Sequence, residues 1–340
     1  MRTPVIEINL KKIAHNASSL KAMYGSKGIS IIGVTKGVSS DLKIAQALVD
    51  SGIEMLGDSS IDNIKRMKDA GIKAKFVLLR TPALSETELV VENAEISLNT
   101  EIEVIKHLCE VAKKNRKIHE IILMIEMGDL REGIMIEDTL DFIENIIGLT
   151  EIKIVGIGAN FACLSAAPTY VEEMQQLTSL AYQIEQRFSL KLTYISGGNS
   201  ANHLWLMNTT NLGRINNLRL GESILLGCEP LKKESIPGLY TDSFRLIAEV
   251  IELKEKPKIL KSDGAQKRIQ AILNIGNQDT CISGLSPTVD IEIIGASSNH
   301  LVIDAKETGL KVGDHVAFYL NYPAILSSIT SPNVFTCYVG

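Results

Sequence analysis

Lys36 carries the most reactive side chain that its surroundings single out. It follows Ile31, Ile32, Gly33, Val34 and Thr35, so a strand delivers it to that strand's C-terminal end. An ammonium group is costly to bury. An apolar setting therefore lowers its pKa and yields the neutral amine that condenses with aldehydes. The alternative is a lysine with a buried stem and a head in water. A second group is small and polar: Ser196, Gly197, Gly198, Asn199 and Ser200 in one turn, and Arg219, Leu220, Gly221 and Glu222 in another. Turns of this kind hold phosphate when hydroxyls and backbone N–H groups converge with no Cβ between them, although such a run is also an ordinary turn. The Ser200 hydroxyl and the backbone amides of Gly221 and Glu222 are the donors such a site would use.

These residues need elements that bring them together. Apolar runs at 30–35, 53–57, 74–79, 95–98, 118–125, 153–157, 192–195 and 218–225 alternate with helix-period segments at 39–51, 62–70, 100–115 and 170–188. Several runs are continuous Val, Ile and Leu, as in parallel strands buried on both faces. Ser39 or Ser40 before Asp41, and Asn99 with Thr100 before Glu101, are expected helix starts; Gly52 and Gly71 are expected ends. The alternation predicts an α/β fold, a (β/α)8 TIM-type barrel over residues 1–230, with its active site at the C-terminal mouth of the strands. Beyond Pro230 the texture changes. Apolar alternation at 244–253, 269–275, 289–294, 301–305, 315–320 and 334–339, with turn signals at 262–264, 286–287 and 313–314, predicts a C-terminal β-rich domain over 231–340, linked through 232–237.

Composition narrows the function classes. With 45% apolar and 22% charged residues in 340, the chain can build a large core and is not a disordered or fibrous one. A net charge of −5 gives no reason to expect nucleic acid or an anionic membrane as partner. No apolar stretch approaches the roughly 20 residues that span a bilayer, and the first residues lack the apolar core of a secretory signal. Cys109, Cys163, Cys228, Cys281 and Cys337 are odd in number and far apart, which fits neither a disulfide framework nor a structural zinc site. They read as free thiols of a cytoplasmic protein, with Cys281 also open to a role in chemistry.

Four segments occur in an order that carries a resemblance: Thr35–Lys36 on the first strand, 126–133 (Glu-Met-Gly-Asp-Leu-Arg-Glu-Gly), 197–201 (Gly-Gly-Asn-Ser-Ala) and 219–227, with Tyr322 near the end. Together they resemble the fold-type III alanine racemases, which use pyridoxal 5′-phosphate (PLP). Segments 128–133, 295–300 and 319–322 are similar to the alanine/ornithine racemase branch, and the likeness covers essentially the whole chain. It implies an isomerase that interconverts L- and D-amino acids by removing and returning the Cα proton, acting on ornithine or another basic amino acid. Lys36 matches the lysine that holds PLP and transfers a proton. Arg219 matches the arginine facing the pyridine nitrogen. Arg131 matches the arginine near the cofactor's phenolic oxygen and the substrate carboxylate. Asn199, Ser200, Gly221, Glu222 and Tyr322 fall at cofactor-binding positions, those of Ser200, Gly221, Glu222 and Tyr322 serving the phosphate. A homodimer with shared active sites and no metal is also implied.

The pattern departs from alanine racemases in places. Asn277 stands where they have the tyrosine that works on the second face, and an amide is no general base. Asp279, Cys281 and His300 are the nearby candidates for that role, each with an ordinary reading as turn residue, buried thiol or surface imidazole. Met124 replaces the lysine that can be carbamylated, Ser40 a phosphate-supporting tyrosine, and Asn160 a histidine that contacts the pyridine-side arginine. A cationic substrate side chain would need a carboxylate, with Asp279, Asp290 and Glu222 as candidates. Three other activities compete. An alanine or broad-specificity racemase would share the same site. A non-catalytic PLP-homeostasis protein would be a single barrel, without the region after Pro230. A metal-dependent aldolase of the same fold type would need a His-x-Cys-like pair, and Leu301 and Val302 follow His300 instead.

Overall fold

The computed structural model describes residues 2–162, 171–258 and 267–340. Cys163, residue 170 of the fourth helical segment and the turn signal at 262–264 lie outside the described residues. The chain divides into two compact units, one made of Ile13–Lys36 and Ser40–Thr241, the other of Met1–Lys12, Gly37–Ser39 and Asp242–Gly340. The expected boundary at 230/231 therefore differs from the observed one. Residues 231–241 stay with the barrel because Ile236 is buried and its amide bonds to Gly227.

The chain opens with strand β1 (Val5–Asn9) and helix α1 (Leu10–Gly25), which no sequence pattern had singled out. The barrel strands follow as β2 (Ser30–Val34), β3 (Met55–Asp58), β4 (Lys75–Leu78), β5 (Ile96–Asn99), β6 (His119–Ile125), β7 (Ile152–Ala159), β8 (Tyr194–Asn199) and β9 (Asn217–Leu220). They close in that order into one parallel barrel, β9 returning to pair with β2. The intervening helices are α2 (Leu42–Asp50), α3 (Ile61–Asp69), α4 (Thr87–Asn93), α5 (Ile102–Lys114), α6 (Thr139–Ile146), α7 (Val171–Phe188), α8 (His203–Asn208) and α9 (Glu222–Leu226). The (β/α)8 barrel expected from the alternation is what forms. Its core is a contiguous cluster of Ile32, Met55, Val77, Ile96, Leu98, Ile122, Met124 and Val155. Burying each such side chain stabilises the fold by roughly 1.5–3 kcal/mol.

Local chemistry explains the boundaries. Asp41, rather than Ser39 or Ser40, caps α2 by accepting from the amides of Lys43 and Ile44 at 3.0 Å. The two serines instead take left-handed backbone angles (φ 47° and 46°) in the turn that leaves β2. Glu101 caps α5 without a side-chain hydrogen bond, so Asn99 and Thr100 do not serve there. Gly52 and Gly71 end α2 and α3 with φ of 89° and 82°. The expected run at 218–225 is half strand and half helix: β9 stops at Leu220, and α9 continues the apolar pattern. Short apolar runs do not distinguish the two.

The second unit is a mostly antiparallel sheet. Its strands are β10 (Phe244–Pro257), β11 (Lys267–Leu273), β12 (Leu285–Pro287), β13 (Glu292–Ala296), β14 (Leu301–Asp304), β15 (His315–Leu320) and β16 (Phe335–Val339). They lie in the order β12-β15-β10-β11-β14-β13. β1 pairs antiparallel with β10 and parallel with β16. Helix α10 (Tyr322–Thr330) interrupts the strands where no helical pattern was expected. Asn321 caps it, accepting from Ala324 at 3.1 Å, with Pro323 in its first turn.

Candidate active site

Thr35 and Lys36 leave β2 together. Thr35 is fully buried and donates to Asp58 Oδ2 at 2.8 Å; the other Asp58 oxygen accepts from Ser60 N and Asn63 Nδ2 at 3.0 Å. The strand end is thus anchored and Lys36 emerges from it exposed. The burial expected of Lys36 is not found in the single chain. The register of the closing pair places Ile32 opposite Arg219, so β2 and β9 carry Lys36 and Arg219 on neighbouring strands.

The loop after β6 has a structural logic that explains its composition. Glu126 Oε1 accepts from Gly128 N at 2.7 Å and Leu130 N at 3.0 Å, folding the loop around one carboxylate. The chain then returns to β6: Ile134 N bonds to Met124 O at 2.8 Å, and Glu126 N bonds to Ile134 O at 2.9 Å. A Cβ at Gly133 would collide with the Glu126 backbone, so only glycine lets the loop close. The closed loop presents Arg131 and Glu132. Arg131 Nε lies 2.8 Å from Glu132 Oε2 and 3.3 Å from Asp129 Oδ2. Glu132 Oε1 accepts from Asn160 Nδ2 at 3.1 Å.

Arg219, only 4% exposed, closes this set from β9. Nη1 donates to Ser196 Oγ at 2.5 Å, and Nη2 donates to Ala159 O at 2.6 Å and to Asn160 Oδ1 at 2.8 Å. Ser196 Oγ in turn donates to Asn217 Oδ1 at 2.7 Å. These three partners of the guanidinium are acceptors, as the group requires. Glu132 feels opposing influences. Burial and Asp129 raise its carboxyl pKa; Arg131, Arg219 and Lys36 pull it down, and burial wins.

Ser200 and α9 form a second focus. The amides of Gly221 and Ser223 both point at Ser200 Oγ, at 3.3 and 3.2 Å. Glycine at 221 keeps this approach open, because a Cβ there would lie 3.2 Å from Val34 Cβ. The Ser223 hydroxyl is buried with no hydrogen-bond partner among the described residues. Asn199 holds the turn, its Nδ2 donating to Phe161 O and its Oδ1 accepting from Ala201 N, both at 2.8 Å. Glu222 faces outward to Lys233 at 2.9 Å. Two convergent amides, an orphaned buried hydroxyl and a donor-only guanidinium fit an anionic ligand with a basic ring nitrogen, which is what PLP offers. In this focus the amide of Ser223, which sequence reasoning passed over, joins that of Gly221.

The remaining named residues belong to the other unit. The Tyr322 ring lies against Gly37, where a Cβ would fall 2.6 Å from it. Asp279, 3% exposed, is committed to its own loop: it accepts from Gly276 N at 3.0 Å, Asn333 Nδ2 at 2.9 Å and Ser331 Oγ at 3.3 Å. That leaves it a poor base and a poor partner for a substrate cation. Cys281 is half-buried, 3.4 Å from Ser283 Oγ. His300 is half-buried at a turn where its carbonyl accepts from Ser297 N. Asp290 is exposed and paired with Lys306 at 2.5 Å. Among the described residues no group of three or more His, Cys, Asp and Glu side chains is placed to hold a metal.

The family model described as alanine racemase, N-terminal domain, matches residues 8–230. The chain belongs to the alanine racemase family. It is 38% identical to an ornithine racemase of Acetoanaerobium sticklandii over 96% of this chain and 97% of that one. It is 36% identical to a lysine racemase of Thermotoga maritima over 97% of each. Its fold matches an alanine racemase from Bartonella henselae with covalently bound pyridoxal phosphate, at a TM-score of 0.77 and 17% identity over 100% of both chains. Within the alanine racemase family, the departures noted above take structural form. Asn160 does contact Arg219, through its carbonyl oxygen. Met124 is 1% exposed in the barrel core. Ser40 accepts from Arg66 at 2.7 Å, and Asn277 is exposed and donates to Ala296 O at 3.3 Å.

Proposed function

We propose that this chain is a PLP-dependent amino-acid racemase that acts on ornithine or another basic amino acid. The observation that carries the reading is Arg219, buried at the end of β9 and donating to Ser196, Ala159 and Asn160, on the strand beside the one that presents Lys36. Bound PLP supplies an electron-withdrawing ring that makes the substrate Cα proton removable. Lys36 would hold the cofactor through its amine and would move the Cα proton on one face. Arg219 would face the pyridine nitrogen; as a group that donates and does not give up its proton, it would favour proton exchange over transamination there. Ser200, Asn199, the backbone of Gly221 and Glu222, and Tyr322 hold the phosphate end. Arg131 receives the substrate carboxylate.

For the opposite face, Cys281 and His300 keep groups that can carry a proton, whereas Asp279 is occupied by three donors. The preference for a basic substrate is supported by identity to an ornithine and a lysine racemase over nearly the whole chain. The free thiols of Cys109, Cys228, Cys281 and Cys337 accord with a reducing cytoplasm, and two chains associate to share their active sites. The β-rich unit sets the chain apart from single-barrel PLP carriers. Incubation of the PLP-loaded protein with L-ornithine, L-lysine and L-alanine in deuterated water tests the reading. Deuterium at Cα with loss of optical rotation is expected for the basic amino acids; no exchange with any amino acid, despite bound cofactor, would favour a carrier.

A further inference from the structure

Glu132 has no part in the chemistry assigned so far, yet both of its oxygens are engaged. Oε2 lies 2.8 Å from Arg131 Nε, and Oε1 accepts from Asn160 Nδ2 at 3.1 Å. Asn160 passes its other end to Arg219, whose Nη2 donates to Oδ1 at 2.8 Å. The amide has only one orientation that satisfies both neighbours. A guanidinium can only donate and a carboxylate can only accept, so oxygen faces Arg219 and nitrogen faces Glu132. One carboxylate thus serves two arginines that reach the barrel mouth from different strand ends.

The geometry at Arg131 shows what this does. Both ion pairs of its guanidinium, to Glu132 and Asp129, use Nε. The paired Nη groups make no hydrogen bond among the described residues, and they form the edge that binds a carboxylate in bidentate fashion. Asp129 is almost fully buried and Glu132 half so, which fixes the anchors against solvent. A loose surface pair would contribute little orientation.

We propose that Glu132 is a positioning residue that orients both arginines at once: it turns the Nη edge of Arg131 outward for the substrate carboxylate and, through Asn160, holds the guanidinium of Arg219 in the orientation it would need toward the cofactor's ring nitrogen. The ligands named here rest on the racemase reading; the link between the arginines rests on one ion pair and two hydrogen bonds. The charged groups that act on Glu132 are Asp129 from its own loop, Arg131, Arg219 on β9 and Lys36 after β2. Burial and Asp129 outweigh the three cations, so the carboxyl takes up its proton above the ordinary range for glutamate. Once protonated, it loses its charge toward Arg131 and alters its hydrogen bond to Asn160 in the same step.

The side-chain NMR signals of 15N-arginine-labelled protein, assigned with R131K and R219K, test the link without substrate or turnover. In the unmutated protein, the Arg131 and Arg219 signals are expected to follow one common acidic midpoint. E132Q should remove that midpoint and shift both sets of signals, whereas N160A should decouple Arg219 and leave Arg131 responsive. In the loaded enzyme, E132Q should raise KM for the amino acid about tenfold, equivalent to about 1.4 kcal/mol. N160A should change the absorption of the bound cofactor with a smaller effect on KM. Arg219 signals that ignore both Glu132 titration and E132Q would overturn the proposal even if racemisation is confirmed. Coupled signals in a protein that racemises nothing would instead keep the link and sink the racemase reading.

Discussion

At the scale of single residues, the site is a set of donors and acceptors sorted by what each can and cannot do. Arg219 cannot accept and Lys36 is left exposed at an anchored strand end; these two properties account for most of the proposed chemistry. K36A should therefore abolish the pyridoxyl adduct that borohydride reduction leaves on the peptide containing residue 36. Racemisation should fall by about 10²–10⁴, the usual worth of a positioned proton-transfer group. An adduct on another lysine would refute the assignment. Lys36, Arg219 and Ser200 were legible in the sequence because a strand end or a polar turn marks them locally. The contacts of Glu132 with Asn160, of Ser196 with Arg219 and of Ser223 with Ser200 were not. Their partners come from other strands, and spacing along one chain does not report contacts across a barrel.

At the scale of elements, the alternation of apolar runs and helical periods carried the barrel, because each β/α unit repeats one pattern. It failed where the pattern was too short to decide, as at β9 and α9, and at β1, five residues whose partners are at the other end of the chain. The loop after β6 offers a test of element design. G133A would force a methyl group into the Glu126 backbone. A local cost of about 1–3 kcal/mol is expected, with a raised KM and an undiminished adduct at Lys36, since the damage is confined to the loop that carries Arg131. Strand β6 begins with His119, 2% exposed and bonded through Nε2 to Ser97 Oγ at 2.8 Å. Burial pushes its imidazole down from 6.5 to about 4. The unfolded chain binds this proton first as pH falls, so the stability is fully present above pH 6.5 and lost on the way down to pH 4. The loss amounts to at most roughly 3 kcal/mol. Urea unfolding at pH 7 and pH 4.5 should show H119Q losing less stability than the unmodified protein over that interval; an equal loss would argue against a neutral buried imidazole.

At the scale of the whole molecule, the chain joins a parallel barrel that carries the arginines and the lysine to a β-rich unit that carries Tyr322, Cys281 and His300. The proposed dimer should give a scattering mass near twice the 37.2 kDa of one chain, and a single-chain mass at working concentration would remove it.

β1 couples the order of synthesis to the order of folding. Ile8 lies opposite Phe244 and Val5 opposite Phe335, so β1 waits for strands made well after it. At about 5–20 residues per second, that wait lasts on the order of ten seconds or more, with a barrel able to form meanwhile. Until those strands emerge, β1 shows open edges, the period in which a nascent chain is most prone to stick to its neighbours. Deleting the first nine residues would make that transient condition permanent.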